Sequence, residues 1–365
     1  MNKEIWMKPK ICSSVGGSAL IEGVMMRGNS RLAMSVRKAS GEIYTETRPS
    51  VPLTKKSKFY GLPFVRGAVS MIESMVVSMK VLLDSAEHVD VSDEDEKESK
   101  FDLWLQKKLG KNYMNYLLYS SVVIAVVFGI GIFILLPNII ADFFADLFRL
   151  DTITGGGAFL ANLIEGLIRI GIFLLYIFLI SKYGEMHRVF QYHGAEHKTI
   201  YAYENGEELT VDNARKHTTL HPRCGTTFIF VVIIISIILF AFTGWHNKLV
   251  NLLIRLALLP VVAGVAYEVF KLAARTDNKF VRAISFPGLM LQKITTQEPD
   301  DSMLEVAIAS LKAVVDENNT GNISENPGTA EKESETEVQA EAETEAETKD
   351  EAGTEKEAVC AEEKD

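Results

Sequence analysis

Four long apolar runs separated by charged connections set the pattern of the chain. Tyr116–Ile140 is uncharged throughout and reaches Pro137. Phe159–Ile180 carries Glu165 and Arg169 in its first half. Gly225–Phe242 is dominated by Phe, Ile and Val, and Leu249–Ala273 contains Pro260, Arg255 and Glu268. A bilayer core is crossed by about 20 apolar residues in a helix. The pattern therefore predicts a mainly α, polytopic membrane protein with about four transmembrane helices. A fifth stretch, Leu62–Leu83, is apolar but carries Arg66, Glu73 and Lys80 at seven-residue intervals. Seven residues are nearly two helical turns, so the three charges form one stripe, and an interfacial or packed amphipathic helix fits better than a span.

Lys and Arg in the connections orient the spans. The N-terminal region is rich in both, and Lys107, Lys108 and Lys111 precede the first span. The loop after that span has only Arg149. Lys182, Arg188, Lys198, Arg215, Lys216 and Arg223 follow the second span, the next connection has only Lys248, and Lys271, Arg275, Lys279 and Arg282 follow the fourth. This alternation places both termini and the long central loop in the cytoplasm, in a multi-pass protein of the cell membrane.

Period-two patterning occurs only near the N-terminus. Arg31–Ala39 and Glu42–Arg48 flank Ser40-Gly41, a hairpin signal, while Gly16-Gly17 and Gly23 to Gly28 suggest tight turns. The expected organisation is a cytoplasmic glycine-rich and β-hairpin lobe (1–60), an amphipathic helix with a charged linker (61–113), a membrane domain with a histidine-rich loop and C-terminal helix (114–315), and a disordered acidic tail (316–365). Ser285 to Leu291 suggests a turn leading into an interfacial stretch. Met303–Val315 follows a helical pattern behind the acidic pair Asp300-Asp301, which suits a helix N-terminus.

Charge changes the picture in one respect. The formal net charge is −10, but 18 acidic and 4 basic residues lie from Asp316 onward, so the preceding body is near +4. The tail has too little apolar surface to offset the entropy of ordering it. Nucleic-acid binding is not supported, because the basic residues are spread along membrane boundaries without a recognisable motif. Cys12, Cys224 and Cys360 are odd in number and far apart, which speaks for free thiols or a metal ligand. The first ten residues have no apolar core after their lysines and do not read as a cleavable signal peptide.

Candidate chemistry gathers in the central loop, where five of the seven histidines fall between His187 and His221. Tyr192 to Glu204 reads as a helix continuing from the second span and stopping near Asn205-Gly206. On it His193 and His197 share a face, Glu204 returns to that face, and Glu196 lies beside it. His-x-x-Glu-His is the spacing of inverted zinc proteases, with two imidazoles on adjacent corners of a tetrahedral metal and a carboxylate near its water. His221 or Cys224, just before the third span, could complete the ligand set of a divalent metal such as zinc, if the two clusters meet. The alternatives are histidines bonded to lipid headgroups or a carboxylate, a His221-Pro222 turn, and Cys224 as a packing residue.

Four segments together resemble the YqhQ family: Gly16 to Arg27 (GGSALIEGVMMR), Phe190 to Lys198 (FQYHGAEHK), His221 to Thr226 (HPRCGT) and Thr296 to Asp301 (TQEPDD). The family comprises bacterial membrane proteins built on a domain of unknown function. The resemblance covers about Cys12 to Val315; Ser18 departs from it, where glutamine is common. It implies a metal-dependent enzyme and singles out Glu22, Arg27, His193, Glu196, His197, His221, Arg223 and Cys224. The resulting expectation is a hydrolase-like enzyme at the cytoplasmic membrane face. His193, His197 and one of His221 or Cys224 would hold the metal, Glu196 would be the general base, and Arg27 or Arg223 would hold an anionic group. The substrate would be a lipid-linked molecule or a membrane-proximal peptide. A non-catalytic scaffold or assembly factor in contact with membrane lipids, and a small transporter using the charged spans, are the other expectations.

Overall fold

The computed structural model describes residues 10–11, 15–89, 113–150, 155–275 and 279–315, without the side chains of 113–119 and 273–285. The expected charged linker, the acidic tail, Cys12 and Cys360 lie outside these residues.

The N-terminal lobe is a four-stranded antiparallel meander in the order β1 (Gly16–Leu20), β2 (Gly23–Arg27), β3 (Arg31–Arg37), β4 (Ile43–Pro49). The expected hairpin is β3–β4, with Arg31 opposite Pro49 and Arg37 opposite Ile43. The glycine-rich segment expected to form turns is instead the pair β1–β2, in register from Gly16 opposite Arg27 to Leu20 opposite Gly23. Its glycines allow close approach here: a Cβ on Gly23 would stand 2.4 Å from the Ser35 carbonyl oxygen. Alternation along these strands serves two cores. Val24, Met26 and Ala33 face one, and Met25, Leu32, Met34 and Val36 face the other.

Helices cover both faces. After a single turn, α1 (Leu53–Lys56), comes α2 (Val65–His88), whose Val81 closes the second core. The first core is closed by α11 (Asp301–Val315) through Leu304, Leu311 and Val314, and by α6 (Gly184–Glu204) through Tyr192 and Ala195. The α11 N-terminus forms as the acidic pair suggests: Asp300 Oδ1 accepts from the Met303 N–H at 3.0 Å.

Among the described residues, three helical segments are long and apolar enough to cross a membrane: Ser120–Leu147, Gly155–Ile180 and Lys248–Leu272. The first is a rod made of α3 (Tyr113–Ile130), a π turn at Gly131–Leu135 and α4 (Leu136–Leu147). It runs past Pro137 because the π turn directly before it already widens the ladder, so the ring and the missing N–H are accommodated without ending the rod. The second is α5 (Gly155–Ile180), and the third lies in α9 (Lys248–Arg275), which continues through Pro260. The expected third of four spans is α8 (Gly225–Ala241), a shorter apolar helix of 17 residues. A short helix, α7 (Val211–Arg215), lies in the central loop.

Two local expectations are corrected. The histidine helix is not continuous with α5: a turn at Ser181-Lys182-Tyr183 separates them, and Tyr183 is extended (φ −78°, ψ 128°). The apolar run ends there in polar residues and Gly184, which hold a helix poorly. The turn expected at Ser285 to Leu291 is the interior of α10 (Lys279–Thr295), which contains Pro287. Packing decides this segment, since Gly288 lies against α8 so closely that a Cβ would be 2.8 Å from Thr227 Cα.

The span charges pair with one another. Glu165 of α5 bonds Arg169 at 2.5 Å and also Arg255 of α9, with Asn138 at 3.3 Å from its second oxygen. Arg169 Nε donates to the Phe133 carbonyl at 3.0 Å, inside the π turn, where the regular ladder is interrupted. Glu268 meets Arg66 of α2 through two bonds of 2.7 and 2.6 Å.

Candidate metal centre

The geometry begins with the C-terminal stop of α6. Asn205 caps it and Gly206 takes φ +66°, the left-handed conformation that ends a helix. The last three turns of α6 are nearly all buried. His193 and His197 lie on one face and meet edge to face, with ring centroids 4.5 Å apart and an interplanar angle of 61°. Each ring is tied at Nδ1 to a backbone carbonyl: His193 to Thr295 at 2.9 Å, and His197 to Thr219 at 2.5 Å. A carbonyl can only accept, so Nδ1 carries the proton in the neutral ring and the Nε2 lone pair is left for a metal. His197 is 1% exposed, and its Nε2 is buried without a hydrogen-bond partner.

Cys224 comes from the other cluster. It is the N-cap of α8, its sulfur accepts from the Thr226 N–H at 3.4 Å, and His193 Nε2 lies 3.2 Å from Sγ. The loop reaches this position through Gln292, a fully buried residue of α10. Its Oε1 accepts from the His221 N–H at 2.7 Å, and its Nε2 donates to the His221 carbonyl and to Thr227 Oγ1, both at 2.8 Å. One ligand atom from each of His193, His197 and Cys224 then falls within 4.8 Å of the others. Bonds of about 2.0–2.3 Å to a tetrahedral ion draw together donors spread on this scale.

Glu196 adjoins the cluster, with a carboxylate oxygen 3.8 Å from His193 Nε2. Burial pushes its carboxyl up, against the pull of His197, His193 and a hydrogen bond from the Gly17 N–H. At the thiol, burial is outweighed by His193 and His197, which hold Cys224 well below its usual range. The effect is mutual: burial lowers His193, but Cys224 and then Glu196 win and push it up to about 9.

The remaining candidates form flanking pairs. His221 is buried with its ring centroid 5.5 Å from that of His197, and its Nε2 is 3.7 Å from Glu204 Oε2. Burial holds His221 below its ordinary range. Glu204 is ion-paired to Arg223, so the i+7 carboxylate and the arginine meet each other rather than the three ligand atoms. Glu22 sits in the β1–β2 turn at φ +51° and bonds Arg188 and the Tyr192 hydroxyl. Arg27 pairs with Glu73 of α2. The two clusters thus meet through Cys224, and of the candidate residues Glu196 alone adds a carboxylate at the ligand atoms.

Sequence reasoning missed the supports. Thr219, Thr295 and Gln292 act through backbone carbonyls or a lone amide and leave no spacing signal. Gly17 and Gly194 had a legible one. A Cβ on Gly17 would be 2.8 Å from Glu196 Cγ, and one on Gly194 would be 2.1 Å from the Gln297 carbonyl oxygen. Gln297 crosses α6 at this point and donates to the Phe190 carbonyl at 2.9 Å. Gly194→Ala should therefore destabilise the protein by about 1–3 kcal/mol through overpacking, although alanine favours a helix by about 1 kcal/mol. Thermal unfolding in detergent checks this; an unchanged or raised Tm would contradict the crossing.

The family model described as Protein of unknown function (DUF1385) matches residues 62–317. An uncharacterised protein of Bacillus subtilis (strain 168), YqhQ, is 32% identical over 312 residues, which is 84% of this chain and 94% of that one. No solved structure matches.

Proposed function

The chain belongs to the DUF1385 family, and within it we propose a metal-dependent hydrolase-like enzyme whose site stands at the cytoplasmic face of the cell membrane. One observation carries the reading: His193, His197 and Cys224 converge within 4.8 Å, with both imidazoles oriented from behind by carbonyls. A divalent ion such as zinc would be held by the two Nε2 atoms and Sγ, leaving one position open, and would supply Lewis acidity. Glu196 is the general base: it takes the proton of an attacking water and returns it to the leaving group. Its raised carboxyl suits both halves of that task. Arg223, freed from Glu204, would hold an anionic group of the substrate. His221 stands outside the three ligands, facing Glu204.

The substrate is a lipid-linked molecule or a membrane-proximal peptide. This reading adds α8 as a fourth crossing to the three membrane-length helices; it is the shortest, about 25 Å at 1.5 Å per residue against a core of about 30 Å. It is uncharged, and it starts at the proposed ligand Cys224. The Lys and Arg bias puts that end, both termini and the histidine helix in the cytoplasm. A thiol nucleophile is a second reading, favoured by the 3.2 Å approach of His193 to Cys224. Cys224 is only 8% exposed, which suits a ligand better than a nucleophile. The scaffold and transporter readings require no metal.

Metal analysis of the untagged protein, purified in detergent without chelators, tests the proposal. Near-stoichiometric zinc, iron or manganese is expected, and His193→Ala and His197→Ala should each lose it. A folded parent that stays metal-free after reconstitution would end this reading. Binding must also displace the proton that His193 holds up to about pH 9. Apparent affinity should therefore rise about tenfold per pH unit below that value and level off above it. A flat profile from pH 7 to 9 would show that His193 holds no proton there for the metal to displace, and the loss of metal in His193→Ala then decides whether it is a ligand.

A further inference from the structure

A cleft of about 340 Å³ opens between β1–β2, α1 and the middle of α2. Its polar lining includes Arg27, Lys55, Ser74 and Ser78, beside the apolar Val77. Arg27 is paired with Glu73, while the exposed Lys55 makes no ion pair among the described residues, so the lining carries a surplus positive charge. Gly17 also belongs to the wall, and it is the residue that lies against Glu196 and donates to its carboxylate. The cleft therefore reaches the layer that covers the proposed base.

The α1–α2 segment, which supplies one wall of the cleft, carries a membrane-like apolar rim of its own. Phe59, Leu62 and Phe64 before α2, and Met75, Val76 and Met79 on it, expose large apolar side chains. Lys55, Lys56 and Lys58 are exposed or half-buried beside them. The depth of this rim is fixed by α9. Gly264 lies so close that a Cβ would be 2.4 Å from the Phe64 carbonyl oxygen, and Arg66 is bonded to Glu268. Gly264 lies eight residues before Leu272, the end of the candidate span, or about 12 Å at 1.5 Å per residue. With α9 crossing the bilayer, the start of α2 lies at hydrocarbon depth, and its apolar face meets lipid.

We propose that this cleft takes the phosphate-bearing headgroup of an anionic membrane amphiphile, which enters from the leaflet that α2 contacts. Lys55 and Arg27 attract the phosphate, Ser74 and Ser78 donate to it, and the apolar rim keeps the acyl chains in the bilayer. As the substrate class of the enzyme, this rests on the proposed roles of Glu196 and the metal centre; as a lipid site, it stands without them.

The test uses the full-length protein in nanodiscs with photoreactive phosphatidylglycerol, the crosslinks being mapped by mass spectrometry beside a matched phosphatidylcholine probe. Labelling of 52–55 and 74–78 by the anionic probe is expected, in excess over the neutral one. It should fall about tenfold in Lys55→Glu, by loss and reversal of one cationic contact, and similarly in Ser78→Phe, which fills the cleft. Equal labelling by both probes, or labelling unchanged in both variants, would overturn the proposal. So would its displacement by soluble glycerol phosphate at the probe's concentration, which would mark a site for a free phosphate ester. Metal content, measured on the same samples, should be unchanged in both variants. A metal-free parent with specific labelling would remove the hydrolase and keep the lipid site; a metal-loaded parent without it would do the reverse.

Discussion

Cobalt(II) titrated into the purified protein should develop a thiolate-to-metal charge-transfer band, and Cys224→Ser should abolish the band and weaken binding by about 100-fold or more. Outer-shell partners alone are worth about 10–100-fold in metal affinity, so a directly bound sulfur should not be worth less. Serine keeps the volume and the N-cap role toward the Thr226 N–H but offers a hard, protonated oxygen. The comparison that gives the experiment meaning is Glu196→Gln. Glu196 lies 3.8 Å from His193 Nε2 and is cast as the base, not as a ligand. Its amide variant should keep the cobalt spectrum while any hydrolytic turnover falls about 10²–10⁴-fold. A spectrum lost with Glu196→Gln and retained in Cys224→Ser would exchange the two roles and refute the assignment.

Glu165→Ala should cost about 3–5 kcal/mol, more than Gly194→Ala, because it leaves two arginines buried against one another. Arg169 and Arg255 converge on this carboxylate, and Arg255 is 2% exposed. What remains is neutral: the Phe133 carbonyl at 3.0 Å from Arg169 Nε, Asn162 Oδ1 at 3.3 Å from Arg255, and the Phe240 ring at 5.4 and 5.8 Å from the two guanidinium groups, none of which replaces a charge. Glu165→Gln should fall between the parent and the alanine variant, since its single amide oxygen still accepts from one arginine while the charge and the second acceptor are lost. Thermal unfolding in detergent, read beside unaltered metal content in the surviving folded fraction, checks both variants. Full stability of Glu165→Ala would show that the two arginines are satisfied elsewhere.

The apolar runs and the His-x-x-Glu-His spacing were legible because each depends on a local period. Length and hydropathy mark the three membrane-length helices directly, and a period of about four residues put His193 and His197 on one face. The hairpin β3–β4 was legible for the same reason. What was not legible depends on distant partners. Gly16-Gly17 looks like a turn until the rest of the β1–β2 pair and Glu196 are in place, and Pro287-Gly288 looks like a turn until Thr227 is found against it. The choice between His221 and Cys224 was likewise invisible. The geometry that favours Cys224 depends on Gln292, 71 residues from His221, which holds the loop while the sulfur lies against His193. Glu204 illustrates the converse: its helical phase was right, but Arg223 and His221 draw it away from the ligand atoms.

The order of translation bears on the first core. Its sheet is synthesised first, but the helix that covers that sheet, α11, ends at Val315, with Ser310 Oγ bonded to the Ala33 carbonyl across 277 positions. Between them every membrane helix must be translated and inserted. During biogenesis Val24, Met26 and Ala33 therefore have no cover until α6 is made and only partial cover until α11 follows, a state prone to wrong pairing and to capture by holding chaperones. The proposed metal ligands would wait as long, because Thr295, whose carbonyl bonds His193, also arrives late. Maturation of the centre is thus timed by completion of the membrane domain, and a chain stopped before Asp301 would leave the ribosome with its spans in place and its lobe unsealed.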